Sequence, residues 1–183
     1  MNISNTGVWN CDTTEPHSFD APLALAILRL LHEKAIHSVL DFGCGSGAYV
    51  DFIHKGGIRA VGYEGNPKTP LFSAHCHVAD LTAPLDVGMA DAVLSLEVGE
   101  HVPMEFEGVF LDNVTLHANK LVVLSWFPFK GEGIGHVNEQ SNDYVRQQML
   151  KRGFAPLRDE ENKLRESSTL WWFSHSVLCF SKT

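Results

Sequence analysis

The sequence is short of basic residues. Its 183 residues include 14 Lys and Arg against 22 Asp and Glu, which gives a formal net charge of -8. A chain with this charge has no bulk attraction for nucleic acid or for an anionic membrane surface, so we expect neither as a partner. Lys151, Arg152 and Arg158 are candidates for a local basic patch, although an ordinary solvated face is the simpler interpretation.

The sequence also lacks clustered cysteines and long apolar segments. Its four cysteines are scattered and include no C-x-x-C pair, which favours a reducing compartment. The most apolar stretch, residues 21–31, contains Arg29 and is too short to cross a bilayer. The N-terminus has no basic region followed by an apolar stretch, so no export signal is indicated. We therefore expect a cytoplasmic protein that does not enter the membrane.

The remaining composition is typical of one globular domain. With 44% hydrophobic and 20% charged residues, the chain can bury a substantial core, and it contains no internal repeat or interdomain linker. We expect a single domain over residues 1–183. Residues 1–19 are polar, with Trp9, His17 and Phe19 as isolated larger side chains, and predict an arm that either covers a substrate site or frays.

The most informative stretch is residues 38–47, Ser-Val-Leu-Asp-Phe-Gly-Cys-Gly-Ser-Gly. Its apolar run predicts a strand buried on both faces, and Asp41 stands near the carboxyl end of that strand. Gly43, Gly45 and Gly47 follow at every second position. Without Cβ atoms they let backbone N–H groups approach a ligand. The stretch therefore predicts a strand that runs into a nucleotide-binding turn.

The residues after this turn favour a ligand that contains ribose. Residues 48–55 predict a helix that Gly56 and Gly57 end, and residues 58–63 predict a second strand. Glu64 closes that strand, where a carboxylate can accept hydrogen bonds from both ribose hydroxyls. Gly43, Gly45 and Ala48 also satisfy the dinucleotide pattern G-x-G-x-x-G/A, so the turn alone does not distinguish among ribose-bearing ligands.

The rest of the chain alternates between predicted strands and helices. Asp20 and Pro22 indicate the start of a helix before the first strand. Further strands are expected at 75–79, 91–96, 120–126, 154–157 and 169–181, and further helices at 105–118 and 141–152. This order predicts an α/β fold with a mostly parallel sheet, helices on both faces and a C-terminal antiparallel hairpin. His75 and His77 are interpreted as surface or packed residues rather than metal ligands.

From about Val39 to the C-terminus, the order of elements and the motifs resemble the class I S-adenosylmethionine-dependent methyltransferases. Residues 41–47 resemble the first motif of that family, Glu64 its ribose-binding acid, and Asp80 with Leu81 the pair that contacts adenine. The resemblance implies a Rossmann-like sheet of seven strands, with S-adenosylmethionine as cofactor. It also implies that Asp41 and the glycine loop hold the methionine end of the cofactor. The terminal hairpin favours this family over nicotinamide-dependent dehydrogenases.

Residues 97–101, Glu-Val-Gly-Glu-His, show a second resemblance. They match the E-x-x-E-H pattern of two magnesium-dependent groups, the ubiquinone-biosynthesis O-methyltransferases and the plant small-RNA 2′-O-methyltransferases. In the RNA group a histidine in the loop after the fifth strand completes the metal site, and His136 lies in the corresponding loop here. The chain differs from the RNA group because it has no RNA-binding domain, so a small-molecule methyl acceptor is expected.

The same five residues have spacing that suits a metal site. On a helical turn, Glu97, Glu100 and His101 would share one face at i, i+3 and i+4. Carboxylates with imidazoles suit Mg, Mn, Co or Zn, so Glu97, Glu100, His101 and His136 are the candidate metal ligands. Glu97, His101 and His136 are also the candidate catalytic residues. Alternatively, Glu100 and His101 only cap a loop, Glu97 contacts cofactor or substrate directly, or His101 is a general base without a metal.

The acceptor itself is not indicated by the sequence. Transfer to an oxygen of a small molecule is the expected activity, with nitrogen as a close alternative. A non-catalytic S-adenosylmethionine-binding protein and a nicotinamide-dependent oxidoreductase are the competing functions. Residues 127–140 form a long glycine-rich loop that is expected to line the acceptor pocket together with the arm. Trp171 and Trp172 would point to opposite faces of a strand, so at most one of them is expected to face the pocket.

Overall fold

A computed structural model describes residues 2–15 and 17–183, and a seven-stranded sheet runs through its centre. A separate two-stranded hairpin precedes the sheet. The strands are β1 (Asn2–Ile3) and β2 (Trp9–Asn10) in the hairpin, then β3 (Ser38–Phe42), β4 (Arg59–Glu64), β5 (Cys76–Val78), β6 (Ala90–Leu96), β7 (Ala118–Ser125), β8 (Phe154–Pro156) and β9 (Val177–Lys182).

Helices connect the strands of the sheet. They are α1 (Ala21–Glu33), α2 (Ala48–Lys55), α3 (Thr69–Phe72), α4 (Glu107–Leu116), α5 (Asn142–Lys151), α6 (Arg158–Ser167) and α7 (Phe173–Ser176). Helix α1 begins where the sequence indicates, because Oδ1 of Asp20 accepts a hydrogen bond from the N–H of Leu23 at 3.1 Å. Among the described residues, no helix combines the length and the apolar character that a bilayer span requires.

The strand order in the sheet is β5-β4-β3-β6-β7-β9-β8. Strands β3 to β7 pair in parallel, whereas β9 runs antiparallel to both β7 and β8. This confirms the predicted mostly parallel seven-stranded sheet with a C-terminal antiparallel hairpin. The chain order reverses between β3 and β6, so the carboxyl ends of these two strands border the crevice where open α/β sheets bind ligands.

Two apolar layers cover the two faces of the sheet. Leu23 and Ile27 of α1 and Ile53 of α2 belong to one layer. Phe110 of α4 and Met149 of α5 belong to the other. The predicted arrangement with helices on both faces is therefore confirmed, and the sheet is a rigid platform for the residues at its carboxyl edge.

The last predicted strand is wrong in its first half. Residues 169–181 were expected to be extended, but β9 begins only at Val177, and α7 precedes it. The reason is a tertiary contact: Oδ2 of Asp20 accepts hydrogen bonds from the N–H groups of Thr169 and Leu170 at 2.7 and 2.8 Å. These backbone donors are satisfied by a side chain, so they do not need a strand partner. Helix α6, which lies between β8 and this turn, was not predicted.

Candidate functional site

The glycine loop leads from β3 into α2 as predicted. Gly43, Gly45 and Gly47 have φ angles of 81°, 54° and 80°. A Cβ atom on Gly43 would overlap the side chain of Val98, and one on Gly45 would lie 2.6 Å from the His17 ring. The loop therefore needs glycine at these positions both for its backbone conformation and for the close approach of neighbouring residues.

Two acids flank this loop. Asp41 is 3% exposed, and burial, assisted by the nearby Cys76 and Glu64, raises its pKa well above the usual value. Glu64 ends β4 and reaches across to the loop: its Oε2 accepts from the N–H of Gly45 at 3.0 Å, and its Oε1 from that of Gly65 at 2.7 Å. Both acids line the same cavity as the glycine loop.

Asp80 and Leu81 lie at the far end of this cavity, beyond β5. Asp80 Oδ1 accepts from both the backbone N–H and the hydroxyl of Thr82, at 2.9 and 2.6 Å, which fixes the turn. Leu81 is buried. The structure thus brings Asp41, Gly43, Gly45, Glu64, Asp80 and Leu81 together along one cavity. Gly47 is not among the residues that line it; it stands at the N-cap of α2, where a Cβ atom would lie 2.6 Å from the side chain of Ser73.

The cavity has a volume of about 420 Å³ and continues past the glycine loop towards the second group of predicted residues. Glu97, Glu100, His101 and His136 line this second half. The two halves form one continuous space, so a cofactor in the first half would place its end close to a second molecule in the other half.

Glu97 lies directly after β6 in a strained conformation, with a φ angle of 55°. Its N–H donates to the hydroxyl of Ser125, and its Oε1 accepts from the hydroxyl of Ser176, both at 2.8 Å. Burial raises its pKa. The expected helical turn begins only at Gly99, as a short 3-10 helix, so Glu97 stands before the helix and not on it.

Glu100 is fully buried, with 0% exposure. Neither of its carboxylate oxygens has a hydrogen-bond partner within the described part of the chain. Its pKa is raised well above the usual value, chiefly by burial and then by the charge of Glu97. A buried carboxyl group without partners is costly, so this position calls either for a proton or for a cation.

His101 and His136 lie beside Glu100. The Nδ1 atom of His101 is 3.0 Å from the carbonyl oxygen of Gly135. Because a carbonyl can only accept, Nδ1 carries the proton and Nε2 keeps a free lone pair. Burial lowers the pKa of His101 to about 4 and also lowers that of His136. Ligand atoms of Glu100, His101 and His136 lie within 4.8 Å of one another, whereas Glu97 lies outside this group.

The loop that carries His136 is tied to Glu100 by contacts that sequence reasoning missed. The N–H groups of Val137 and Asn138 donate to the Glu100 carbonyl at 2.8 and 3.0 Å. The Asn138 side chain donates to the buried Glu107 at 2.9 Å, and the Asn138 carbonyl accepts from the Trp126 indole at 2.6 Å. No local sequence signal links Asn138 to Glu107, which lies 31 residues earlier in the chain.

The N-terminal arm forms part of the cavity wall. Trp9 and His17 line the cavity, and the Trp9 ring packs edge-on against His101 with centroids 5.0 Å apart. Trp171 and Trp172 both line the cavity as well, so the expectation that at most one of them faces it is wrong. They precede β9 in a non-strand segment, where the alternation of a strand does not apply.

The remaining candidate histidines lie apart from this cavity. His75 contacts Asp51 at 3.0 Å and stacks on His54, whereas His77 packs against the ring of Tyr63. These contacts agree with the interpretation of His75 and His77 as surface or packed residues.

Solved structures that share this fold include methyltransferases. The sugar N-methyltransferase of a Streptoalloteichus species aligns with a TM-score of 0.71 and 14% identity, over 100% of this chain and 98% of that one. The magnesium protoporphyrin IX methyltransferase of Synechocystis, with bound S-adenosylhomocysteine, aligns with a TM-score of 0.69 and 16% identity, over 87% and 82% of the two chains. The chain has the class I methyltransferase fold.

Sequence relatives agree with this fold. An uncharacterized methyltransferase of Mycobacterium leprae is 31% identical over 110 residues, which cover 54% of this chain and 40% of the relative. The chain thus spans less than half the length of the curated relatives that it matches. No protein-family model matches the chain. The structure therefore establishes the methyltransferase fold, whereas the activity depends on the residues of the site.

Proposed function

We propose that the protein transfers a methyl group from S-adenosylmethionine to an oxygen or nitrogen atom of a small molecule. The observation that carries the proposal is the single cavity that joins the glycine loop, Glu64 and Asp80 to the cluster of Glu100, His101 and His136. Methyltransferases with the same fold bind S-adenosylhomocysteine or S-adenosylmethionine, which supports this choice of cofactor.

The first half of the cavity fits the cofactor. The glycine loop offers backbone N–H groups and no side chains, which suits the methionine end. Glu64 is already held in place by three backbone N–H groups, so its carboxylate is positioned to accept hydrogen bonds from ribose hydroxyls. Asp80 and Leu81 would contact the adenine.

The second half of the cavity would hold the acceptor. S-adenosylmethionine, when bound, supplies a methyl group activated by a positively charged sulfur. The acceptor's oxygen or nitrogen would form the new bond to the methyl carbon while the carbon–sulfur bond breaks, and its proton would leave to solvent, or to His101 Nε2 where no metal ion occupies that nitrogen. The protein's main contribution is alignment, because the rigid edge of the sheet fixes both halves of the site.

A divalent metal ion held by Glu100, His101 and His136 is part of this proposal. The unpartnered carboxylate of the fully buried Glu100 supports it, and so does the Gly135 carbonyl, which fixes the tautomer of His101 so that Nε2 can bind an ion. An ion at this position would lower the pKa of an acceptor hydroxyl. His101, with a pKa of about 4, is a weak general base by itself, and this also favours a role for His101 as a metal ligand.

Calorimetric titration with S-adenosylhomocysteine tests the cofactor assignment. We expect Glu64→Gln to weaken binding by about 1 to 3 kcal/mol, because a charged acceptor is lost, whereas Glu33→Gln changes an exposed acid and leaves affinity unchanged. Incubation with methyl-labelled S-adenosylmethionine and a metabolite pool should yield a labelled product. Binding without transfer would identify a non-catalytic binding protein. Binding of a nicotinamide cofactor in place of S-adenosylhomocysteine would identify an oxidoreductase.

Titration with Mn²⁺ tests the metal site separately. Glu100→Gln and His101→Ala should each reduce Mn²⁺ affinity by about tenfold or more, because even the loss of a residue that only supports a metal ligand costs about 10- to 100-fold, while S-adenosylhomocysteine affinity is retained. Glu105→Gln changes an exposed acid four residues from His101 and serves as the control. If Mn²⁺ affinity is the same in all variants, or if turnover survives complete chelation, the metal assignment is refuted.

A further inference from the structure

The acceptor half of the cavity has a continuous wall of aromatic rings. Successive ring centroids are 5.0 Å apart for Trp9 and His101, 4.8 Å for His101 and His136, 4.7 Å for His136 and Phe127, and 5.9 Å for Phe127 and Trp171. All five rings line the cavity, and we call them the aromatic wall. Each neighbouring pair meets edge to face, so the wall presents both ring faces and ring edges to the cavity.

Trp171 is the most exposed ring of the aromatic wall. It is 52% exposed, although its ring carries the largest apolar surface of any side chain. An exposed indole that continues a row of buried and half-buried rings is a favourable stacking surface for a flat ligand. The wall therefore fits an aromatic ring better than an aliphatic chain or a sugar.

The charges around the cavity all have the same sign apart from histidine. No Lys or Arg among the described residues lines it, whereas six carboxylic acids do, namely Asp41, Glu64, Asp80, Glu97, Glu100 and Glu132. Glu132 lies on the acceptor side, one residue before Gly133, which packs against the His136 ring. A ligand with a carboxylate, sulfate or phosphate group would find no fixed cationic side chain here, and the exposed Glu132 would oppose its negative charge.

We propose that the methyl acceptor is an aromatic compound that carries no negatively charged group. Its ring stacks on the aromatic wall, and the hydroxyl or amine that receives the methyl group points towards His101 and His136. This inference rests on the proposed function, because it names the substrate class of the same site.

Four probes that share a pair of neighbouring hydroxyls test separately whether the acceptor must be aromatic and whether it must lack a negative charge. They are catechol, dopamine, 3,4-dihydroxybenzoate and cis-cyclohexane-1,2-diol. Each is titrated calorimetrically into the protein saturated with S-adenosylhomocysteine, in the presence of a chelator so that a metal ion cannot attract the benzoate. We expect catechol and dopamine to bind at least about tenfold more tightly than either of the other two probes. The 3,4-dihydroxybenzoate should bind weakly because it carries a negative charge, and the cyclohexanediol because it has no aromatic ring.

Two variants test whether Trp171 and Glu132 are the residues that select the acceptor. Trp171→Leu should reduce the preference for catechol over the cyclohexanediol, and Glu132→Gln should reduce the discrimination against 3,4-dihydroxybenzoate. Unchanged affinity for S-adenosylhomocysteine shows that both variants are folded. Equal or tighter binding of the benzoate overturns the charge requirement, and equal binding of the cyclohexanediol overturns the aromatic requirement. Binding of none of the probes to a protein that binds S-adenosylhomocysteine overturns the inference alone. Failure to bind S-adenosylhomocysteine overturns the proposed function.

Discussion

Gly7 lies directly against the main-chain carbonyl of His101, so close that a Cβ atom on Gly7 would overlap the carbonyl oxygen. The arm and the candidate metal cluster are therefore in backbone contact. A second contact lies further along the arm, where the side chain of Asn66 donates to the Cys11 carbonyl at 3.0 Å. These contacts hold the arm over the site.

We expect Gly7→Ala to release the arm. Gly7 has a φ angle of 83°, which already disfavours alanine, and the added methyl group has only backbone to displace. Hydrogen exchange in residues 2–12 should rise, and turnover should fall more than cofactor affinity, because an open site admits water. Gly88→Ala is the matched control, since Gly88 has a φ angle of 76° but nothing within 4 Å of the added atom. Equal exchange in the two variants would show that the contact with His101 does not hold the arm.

We expect Glu107→Ala to loosen the loop that carries His136. Glu107 is buried and accepts hydrogen bonds from the Asn138 side chain at 2.9 Å and from the Tyr144 hydroxyl at 2.5 Å. Its removal leaves both donors without partners, which costs about 1 to 3 kcal/mol of unfolding free energy for each buried group. Metal affinity should fall together with stability, whereas Glu105→Ala, an exposed neighbour, should change neither. If Mn²⁺ affinity in Glu107→Ala stays at the wild-type value, the hydrogen bonds to Glu107 do not support the candidate metal site.

The cofactor half of the site could be predicted from sequence because each of its signals is local. The strand, the glycines at alternate positions, the helix and Glu64 follow one another within 27 residues, from Ser38 to Glu64. In a parallel sheet, neighbouring strand ends meet at one edge, so local order is enough to bring such residues together. The predicted helix at 48–55 has the same bounds in the structure.

The acceptor half depends on contacts that are distant in sequence. Ser176 holds Glu97 from 79 residues away, and Asp20 fixes the turn at Thr169 and Leu170 from about 150 residues away. Neither pair has a local signal. Helix α6 was missed for another reason: Glu161 and Leu164 do recur at helical spacing, but the helix is charged and mostly exposed.

The unpredicted helix α6 carries a buried charge that we expect to be important for stability. Glu161 is 0% exposed, and its Oε1 contacts the guanidinium groups of Arg146, Arg158 and Arg165 at 2.6, 3.3 and 3.4 Å. Glu161→Ala should lower the free energy of unfolding by about 3 to 5 kcal/mol, because it takes the carboxylate partner from Arg158 and Arg165 and leaves Arg146 with only the exposed Asp143. Glu160→Ala removes the partially exposed ion pair with Lys34 and should cost about 1 kcal/mol or less. Chemical denaturation measures both, and equal losses would contradict a special role for the buried acid.

Asp20 should make stability dependent on pH. Its Oδ1 caps α1, and its Oδ2 accepts from Ser168, Thr169 and Leu170. Burial acts to raise the pKa of Asp20, but these hydrogen bonds together outweigh burial and lower it. Because the folded pKa lies below the unfolded one, the stabilisation is fully present above the unfolded pKa, near 3.9, and is lost as the pH falls through the folded pKa.

We therefore expect Asp20→Asn to lower the free energy of unfolding at pH 7 by about 1 to 3 kcal/mol. Asparagine can still cap α1 with its oxygen, but its NH₂ group would then face three donors. Denaturant titrations between pH 7 and pH 3 should show a difference between wild type and variant that is constant down to about pH 4 and shrinks below it, because the unfolded wild-type chain then binds a proton at Asp20 whereas the folded chain does so only at lower pH. Asp86→Asn changes an exposed aspartate and is the control, because it should leave the free energy of unfolding close to the wild-type value at each pH. A difference that stays constant across this range would mean that the charge of Asp20 contributes nothing beyond the shape of its side chain.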